Sequence, residues 1–134
     1  MVLPELISWL ESDGYGTGGV NLFYGIEPHE PNSMTCLHEY SSLPIEVVLG
    51  SNQVNQEIVM VQAVVRGEPN IYDAPRLKIN QLVASFTKIG EVDILGVRYH
   101  AMIAQQSPFM VSPDDNFRNT FKVNFRVWKD PSTT

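Results

Sequence analysis

The chain has 134 residues, 43% hydrophobic and 18% charged, which excludes a disordered segment and suits one domain able to bury roughly 65–70% of its unfolded surface. The net charge of −6 argues against a dedicated nucleic-acid binder, which would present a basic surface. No apolar run approaches the ~18 residues of a membrane helix, the opening MVLPELISWLESDG lacks the basic start of a secretory signal, and a lone Cys36 can form no intrachain disulfide.

Residues 4–12 are predicted to form a short helix, because Leu3, Leu6, Ile7 and Leu10 follow the i, i+3, i+4, i+7 stripe. Pro4 suits its first turn and Gly14 its stop. A glycine-rich turn, Gly14–Gly19, leads into a short strand over Val20–Tyr24, closed by Gly25 and the Pro28/Pro31 pair. Met34–Tyr40 is a further strand candidate. Ser41–Gln56 is poor in regular pattern and is expected to be a long loop, with a short strand near Ile45–Leu49.

Glu57–Arg66 is apolar on both faces and rich in β-branched residues, the signature of a central strand. A helix follows over Ile71–Ile89, with Tyr72, Pro75, Ile79, Leu82, Val83 and Phe86 as its buried stripe and Gly90 as the glycine after its end. Either Asp73 caps this helix and Pro75 falls in its first turn, or that turn is irregular. Val97–Gln105 and Phe117–Trp128 are strands. In the last, Phe117, Phe121, Val123, Phe125 and Val127 are assigned to the core; Arg118, Thr120, Lys122, Asn124, Arg126 and Trp128 point the other way. Gln106–Asn116, with two prolines and Asp114-Asp115-Asn116, is read as a long connection with a projecting tip. Residues 1–129 thus form one α+β domain, a mainly antiparallel sheet with two helices packed on one face and long projecting loops, and 130–134 a frayed tail.

The charge is uneven along the chain. Met1–Val65 has no Lys or Arg and eight acids (Glu5, Glu11, Asp13, Glu27, Glu30, Glu39, Glu46 and Glu57), whereas the remainder has nine basic and seven acidic residues. Two readings stand: a solvated acidic surface, or an acidic side that meets the basic side of a neighbouring subunit.

Motifs for chemistry are few. Gly14, Gly16 and Gly19 match G-x-G-x-x-G, but here the motif follows a helix and opens a strand, so the helix N-terminus that would hold a pyrophosphate is missing. Cys36 and His38, with His29, Glu30 and Glu39 nearby, lack any zinc spacing. Cys36 is expected to be half-buried, and His38 and His100 to lie at the surface. Asp114 and Asp115 read as turn residues. No catalytic, cofactor or metal residues are assigned. Arg118, Lys122 and Arg126 recur every four residues, roughly 13 Å apart, on the polar face of the last strand. They suit a neighbour's acidic surface or DNA phosphates, and the acidic first half makes the neighbour more economical.

The run GYGTGGVNLFYG (Gly14–Gly25), with the amphipathic helix before it, resembles the G-x-GT-G-x-N-x-F-x-G segment near the start of siphophage tail terminator proteins, also labelled minor capsid proteins. AQQSPFMVSPDDNFRNTFKVNFRVWKD (Ala104–Asp130) resembles their final loop and strand, where Q-S-P-F is followed by an Asp-Asn turn and a strand ending in V-N-F-R-V. The resemblance implies a virion structural protein without catalysis or cofactor. Such a protein is made in the host cytoplasm, forms a hexameric ring at the head-proximal end of the tail, caps the major tail tube protein, joins a head-completion (stopper) protein and lets genome DNA pass without sequence-specific binding. Arg118, Lys122, Arg126, Gly16, Gly18, Asp114 and Asp115 are the expected subunit or partner contacts. The alternatives are another small neck or tail subunit (head completion or tube), a small-ligand-binding domain, and a cellular scaffold protein.

Overall fold

The computed structural model describes residues 2–42, 46–47 and 54–131. Helix α1 spans Val2–Ser12. It ends as the sequence requires: Gly14 takes φ +78°, Gly14 N–H donates to Glu11 O and Tyr15 N–H to Leu10 O. These are the paired bonds of a Schellman motif, which only a left-handed residue can close cheaply. Tyr15 then joins Leu10 in the core.

Strands β1 (Leu22–Tyr24), β2 (Met34–Ser42), β3 (Glu46–Val47) and β4 (Val54–Pro69) follow, then α2 (Asp73–Thr87), β5 (Gly90–Ile94), β6 (Val97–Ala104), β7 (Phe109–Val111) and β8 (Arg118–Lys129). The sheet order is β1-β2-β4-β8-β6-β5, with β3 paired to β4 and β7 to β8. All pairs are antiparallel except β1 with β2. The fold is therefore α+β, as the element order implied.

Both helices lie on one face. There Leu6, Leu10, Ile79, Leu82 and Phe86 meet Val59, Val61, Ala63 and Val65 of β4, and Phe121, Val123, Phe125 and Val127 of β8. Phe86 packs edge-on against Phe125 with centroids 5.1 Å apart. Glu5 is buried among these apolar residues, where its carboxylate accepts the Tyr99 hydroxyl at 2.6 Å. Lys129, 2% exposed at the end of β8, lies 3.5 Å from Glu57 and over the Tyr99 ring. Burial and the Glu5 carboxylate both push the Tyr99 hydroxyl far above its ordinary pKa.

Several expectations need correction. The stretch expected as a loop over Ser41–Gln56 is flanked by strand on both sides: β2 runs to Ser42, β4 already starts at Val54, and Glu46–Val47 pairs with its first residues. The rest of the Ile45–Leu49 strand, and 132–134 of the expected tail, lie outside the described residues. In α2, Tyr72 rather than Asp73 stands at the cap, with no side-chain cap bond, and is half exposed. Pro75 falls in the first turn, where no backbone donor is lost. Gly90 opens β5 instead of ending α2 in the left-handed region. β5 itself was not foreseen. Its hairpin to β6 closes through Leu95 and Gly96, both at positive φ as a type I′ turn demands. Leucine is a poor signal for that turn. Within the connection expected to project, Phe109–Val111 pairs with β8 instead. Phe117 precedes β8 at φ +60° and is 66% exposed, so it is no core residue.

Candidate assembly surface

The face of the sheet away from the helices is a lattice of cross-strand rows set by the register. Val64 of β4 stands between Cys36 and Lys122, Gln62 between His38 and Asn124, and Met60 beside Arg126, which also pairs with Ile103 of β6. Alternation is period 2, so each of these side chains is on this face because its sequence neighbours are in the core. The face grades from closed to open. At one end Cys36 and Val64 are fully buried, and Lys122 of the same row is half exposed; towards the other end Met60, Gln62, Asn124, Arg126 and Trp128 are half exposed, with Ile103 open to solvent.

The closed end is covered by the segment Pro28–Asn32. Arg66 donates to the carbonyls of Pro28 (2.7 Å), His29 (3.2 Å), Pro31 (2.8 Å) and Asn32 (3.1 Å). Arg118 donates to His29 O at 2.7 Å and pairs with Asp114 at 2.7 Å. Both guanidiniums are buried, at 7% and 4% exposure. Arg66 is not among the residues expected to make contacts; its one signal in the sequence is a cation at the end of a largely apolar strand. Arg118 departs from the expected stripe: it is on the same face as Lys122 and Arg126, but its donors are taken up within the subunit.

At the open end, Gln62 donates to Asn124 Oδ1 at 3.0 Å, and the Arg126 guanidinium lies 5.8 Å from the Trp128 ring centre. The Arg126 Nε–H is buried and has no hydrogen-bond partner among the described residues. A buried donor left unpaired is costly, so it marks a place where a partner group would be welcome. His38 lies 3.3 Å from Glu27 without hydrogen-bond geometry. Cys36 is fully buried rather than half-buried, and burial, with Glu27 nearby, pushes its thiol up to about 12.

The other expected contact residues have mainly internal roles. Asp114 Oδ1 accepts the N–H groups of Asn116 and Arg118, both at 3.0 Å. The hydrogen bond from the Arg118 guanidinium, with these backbone donors, holds the Asp114 carboxyl at about 2. Asp115 is exposed beside it. The Gly14–Gly19 turn is tied down: Gly18 N–H donates to Glu11 at 2.8 Å and Thr17 N–H to Asn21 at 2.7 Å. A Cβ on Gly16 would come 2.7 Å from Asn21 Oδ1, so Gly16 is there for close approach. Among the described residues no group of three or more His, Cys, Asp or Glu could hold a metal ion. No described helix is long and apolar enough to cross a membrane.

In the sheet the two charge halves lie side by side: β1, β2 and β4, which belong almost wholly to the acidic half, are adjacent, and β8, β6 and β5 of the other half follow. Five of the eight acids are nonetheless engaged within the subunit: Glu5 by Tyr99, Glu11 by Gly18, Asp13 by Lys88, Glu27 by His38 and Glu57 by Lys129.

A second feature lies on the helix side. Gly67 lets α2 press onto β4, since a Cβ there would come 2.6 Å from Pro75 Cγ. Beside this contact is an open, mainly apolar pocket of about 160 Å³, lined among others by Tyr15, Met34, Val65, Ala74, Pro75 and Lys78. Lys78 donates to Tyr15 O at 2.6 Å, with its ammonium 4.0 Å from the Tyr15 ring centre.

No family model matches the chain, and no curated protein matches it. In structure it is similar to a chain solved as part of the "Virion of native gene transfer agent (GTA) particle", with a TM-score of 0.59 at 8% identity, over 97% of this chain and 85% of that one. The two share a fold across nearly their whole lengths.

Proposed function

We propose that this protein is a structural subunit of a virion, and that within the virion it is the tail terminator: a subunit of a ring, hexameric by the resemblance, that caps the tail tube and joins it to the head. The observation that carries the virion part is the whole-length likeness in fold to a chain of a virion particle. The terminator part rests on the resemblance of Gly14–Gly25 and Ala104–Asp130 to that family. The exposed part of the helix-free face supports self-assembly. It offers Lys122, Arg126, Trp128 and Ile103 at an otherwise regular sheet surface, with one buried donor of Arg126 still to be satisfied. Closed rings need two different, complementary surfaces on each subunit, and this face is our candidate for one of them. In this reading the chain contributes shape and contacts, with no catalytic step.

The test is the mass of the purified protein by light scattering, alone and with assembled tail tubes of the same virion, together with negative-stain imaging. A free hexamer, or a ring at one end of the tubes, is the expected result. Subunits spaced along the tube would favour a tube protein, and binding to the head side alone a head-completion protein. A strict monomer that ignores both overturns the reading.

A further inference from the structure

The tip of the β5–β6 hairpin carries Leu95 at φ +48° and 67% exposed. Both facts are unfavourable for a leucine. The left-handed region is uncommon for a branched, bulky residue, and the turn would be easier with Asn or Gly. An apolar side chain in water at a turn tip contributes nothing to the fold. Two carboxylates stand on the same hairpin, Glu91 and Asp93. Both lie near the guanidinium of Arg98, at 3.5 and 3.4 Å, and Glu91 also lies 3.2 Å from His100 Nδ1. With His100 neutral these groups leave the hairpin one net negative charge.

The pocket beside α2 is its counterpart. Its volume of about 160 Å³ is close to the ~150 Å³ cavity that accepts a benzene-sized group, so a leucine side chain fits. On its wall, the Lys78 ammonium meets a carbonyl and an aromatic ring and makes no ion pair with a carboxylate among the described residues. A subunit cannot fill its own pocket. The pocket lies by Val65, which pairs with Phe121, whereas the hairpin lies beyond Tyr99, which pairs with Lys129. The eight residue steps from Phe121 to Lys129 along β8 span about 26 Å, and the two features are also on opposite sides of the sheet's centre.

We propose that Leu95 of one copy seats in the pocket of the next, with Glu91 and Asp93 brought towards Lys78. This contact joins two different surfaces, so it repeats head to tail and can close a ring. It rests on the self-assembly part of the function proposed above.

Leu95→Gly separates this role from a structural one. Glycine takes the positive φ without penalty, so the melting temperature should stay level or rise, while assembly weakens about ten- to hundred-fold, the range for losing one buried leucine side chain. In assembled particles, Leu95→Cys combined with Ala74→Cys should form an intersubunit disulfide under mild oxidant, and neither single variant should. The native Cys36 is fully buried and stays silent. If Leu95→Gly assembles like the wild type, or the double-cysteine particles give no cross-link, this contact is wrong while the ring reading stands. If the wild type forms no ring, free or on tubes, both fall together.

Discussion

Replacing Arg118 by methionine should destabilise the subunit strongly, although its spacing with Lys122 and Arg126 makes it look like a surface residue. The substitution keeps an apolar stem of similar reach and removes the guanidinium. Lost with it are the 2.7 Å pair with Asp114 and the 2.7 Å bond to His29 O. Deleting one partner of a buried ion pair costs about 3–5 kcal/mol. The Asp114 side chain is 34% exposed, so water can take over that carboxylate, and the lower figure, about 3 kcal/mol, is the better estimate. For 134 residues the unfolding entropy is about 0.28 kcal/mol/K, at ~2.1 cal/mol/K per residue, so the melting temperature should fall by about 10 °C. Amide exchange should show the Pro28–Asn32 segment loosened. The double variant Lys122→Glu with Arg126→Glu changes half-exposed groups and should move the melting temperature by only ~4 °C or less, yet abolish ring formation. A shift below ~2 °C for Arg118→Met would refute the clamp. Normal assembly of the double variant would remove the helix-free face as a subunit contact.

Tyr99→Phe should cost about 1.5–3 kcal/mol, the usual loss for a hydrogen bond to a charged group, since the hydroxyl serves the buried Glu5 at 2.6 Å. Tyr40→Phe, which removes an exposed bond to Gln105, should lie within about 0.5 kcal/mol of wild type by denaturant titration. His100 bridges Asp130 at 2.8 Å and Glu91 at 3.2 Å. The hydrogen bond to Asp130, with Glu91 adding, raises its pKa above the ordinary 6.5. The stability it contributes is therefore complete below about pH 6.5 and lost as the pH rises through the folded-state value. His100→Gln should flatten that part of the stability profile, and an unchanged profile would show that the imidazolium contributes nothing.

The sequence makes the fold legible where local chemistry and burial agree. Gly14 ends α1 because only a left-handed residue closes that motif, and the alternation of β8 from Phe121 to Trp128 names its two faces directly. Legibility fails where tertiary contacts override local pattern. Leu95-Gly96 hides a type I′ turn because leucine is a poor residue for it, and the whole of β5 is hidden with it. Phe117 looks like the first core residue of β8, yet the chain turns at positive φ there. Spacing places Arg118, Lys122 and Arg126 on one face, but it cannot tell that the Pro28–Asn32 segment folds over one end of that face and takes Arg118 out of reach. Glu5, beside an apolar stripe, gave no sign that Tyr99 would share its burial.

The same limit decides how the charge split should be read. Eight acids in a half without Lys or Arg suggest a subunit with an acidic side. However, although β1, β2 and β4 lie together in the sheet, pairs such as Asp13–Lys88 and Glu57–Lys129 tie acids of the first half to cations of the second within one subunit. At the two proposed contacts the charges are few: Lys122 and Arg126 on the helix-free face, and the hairpin acids Glu91 and Asp93, which already lie beside Arg98 and His100. Assembly should therefore rest more on buried apolar groups, Leu95 first among them, than on charge. At 1 M salt the screening length falls to about 3 Å, so exposed pairs would contribute little, whereas apolar burial persists. Rings that survive 1 M sodium chloride in light scattering, while Leu95→Gly weakens assembly by the same about ten- to hundred-fold at low and high salt, would bear out that division. Rings that dissociate steadily as salt rises would instead return the main role to the Lys122 and Arg126 face.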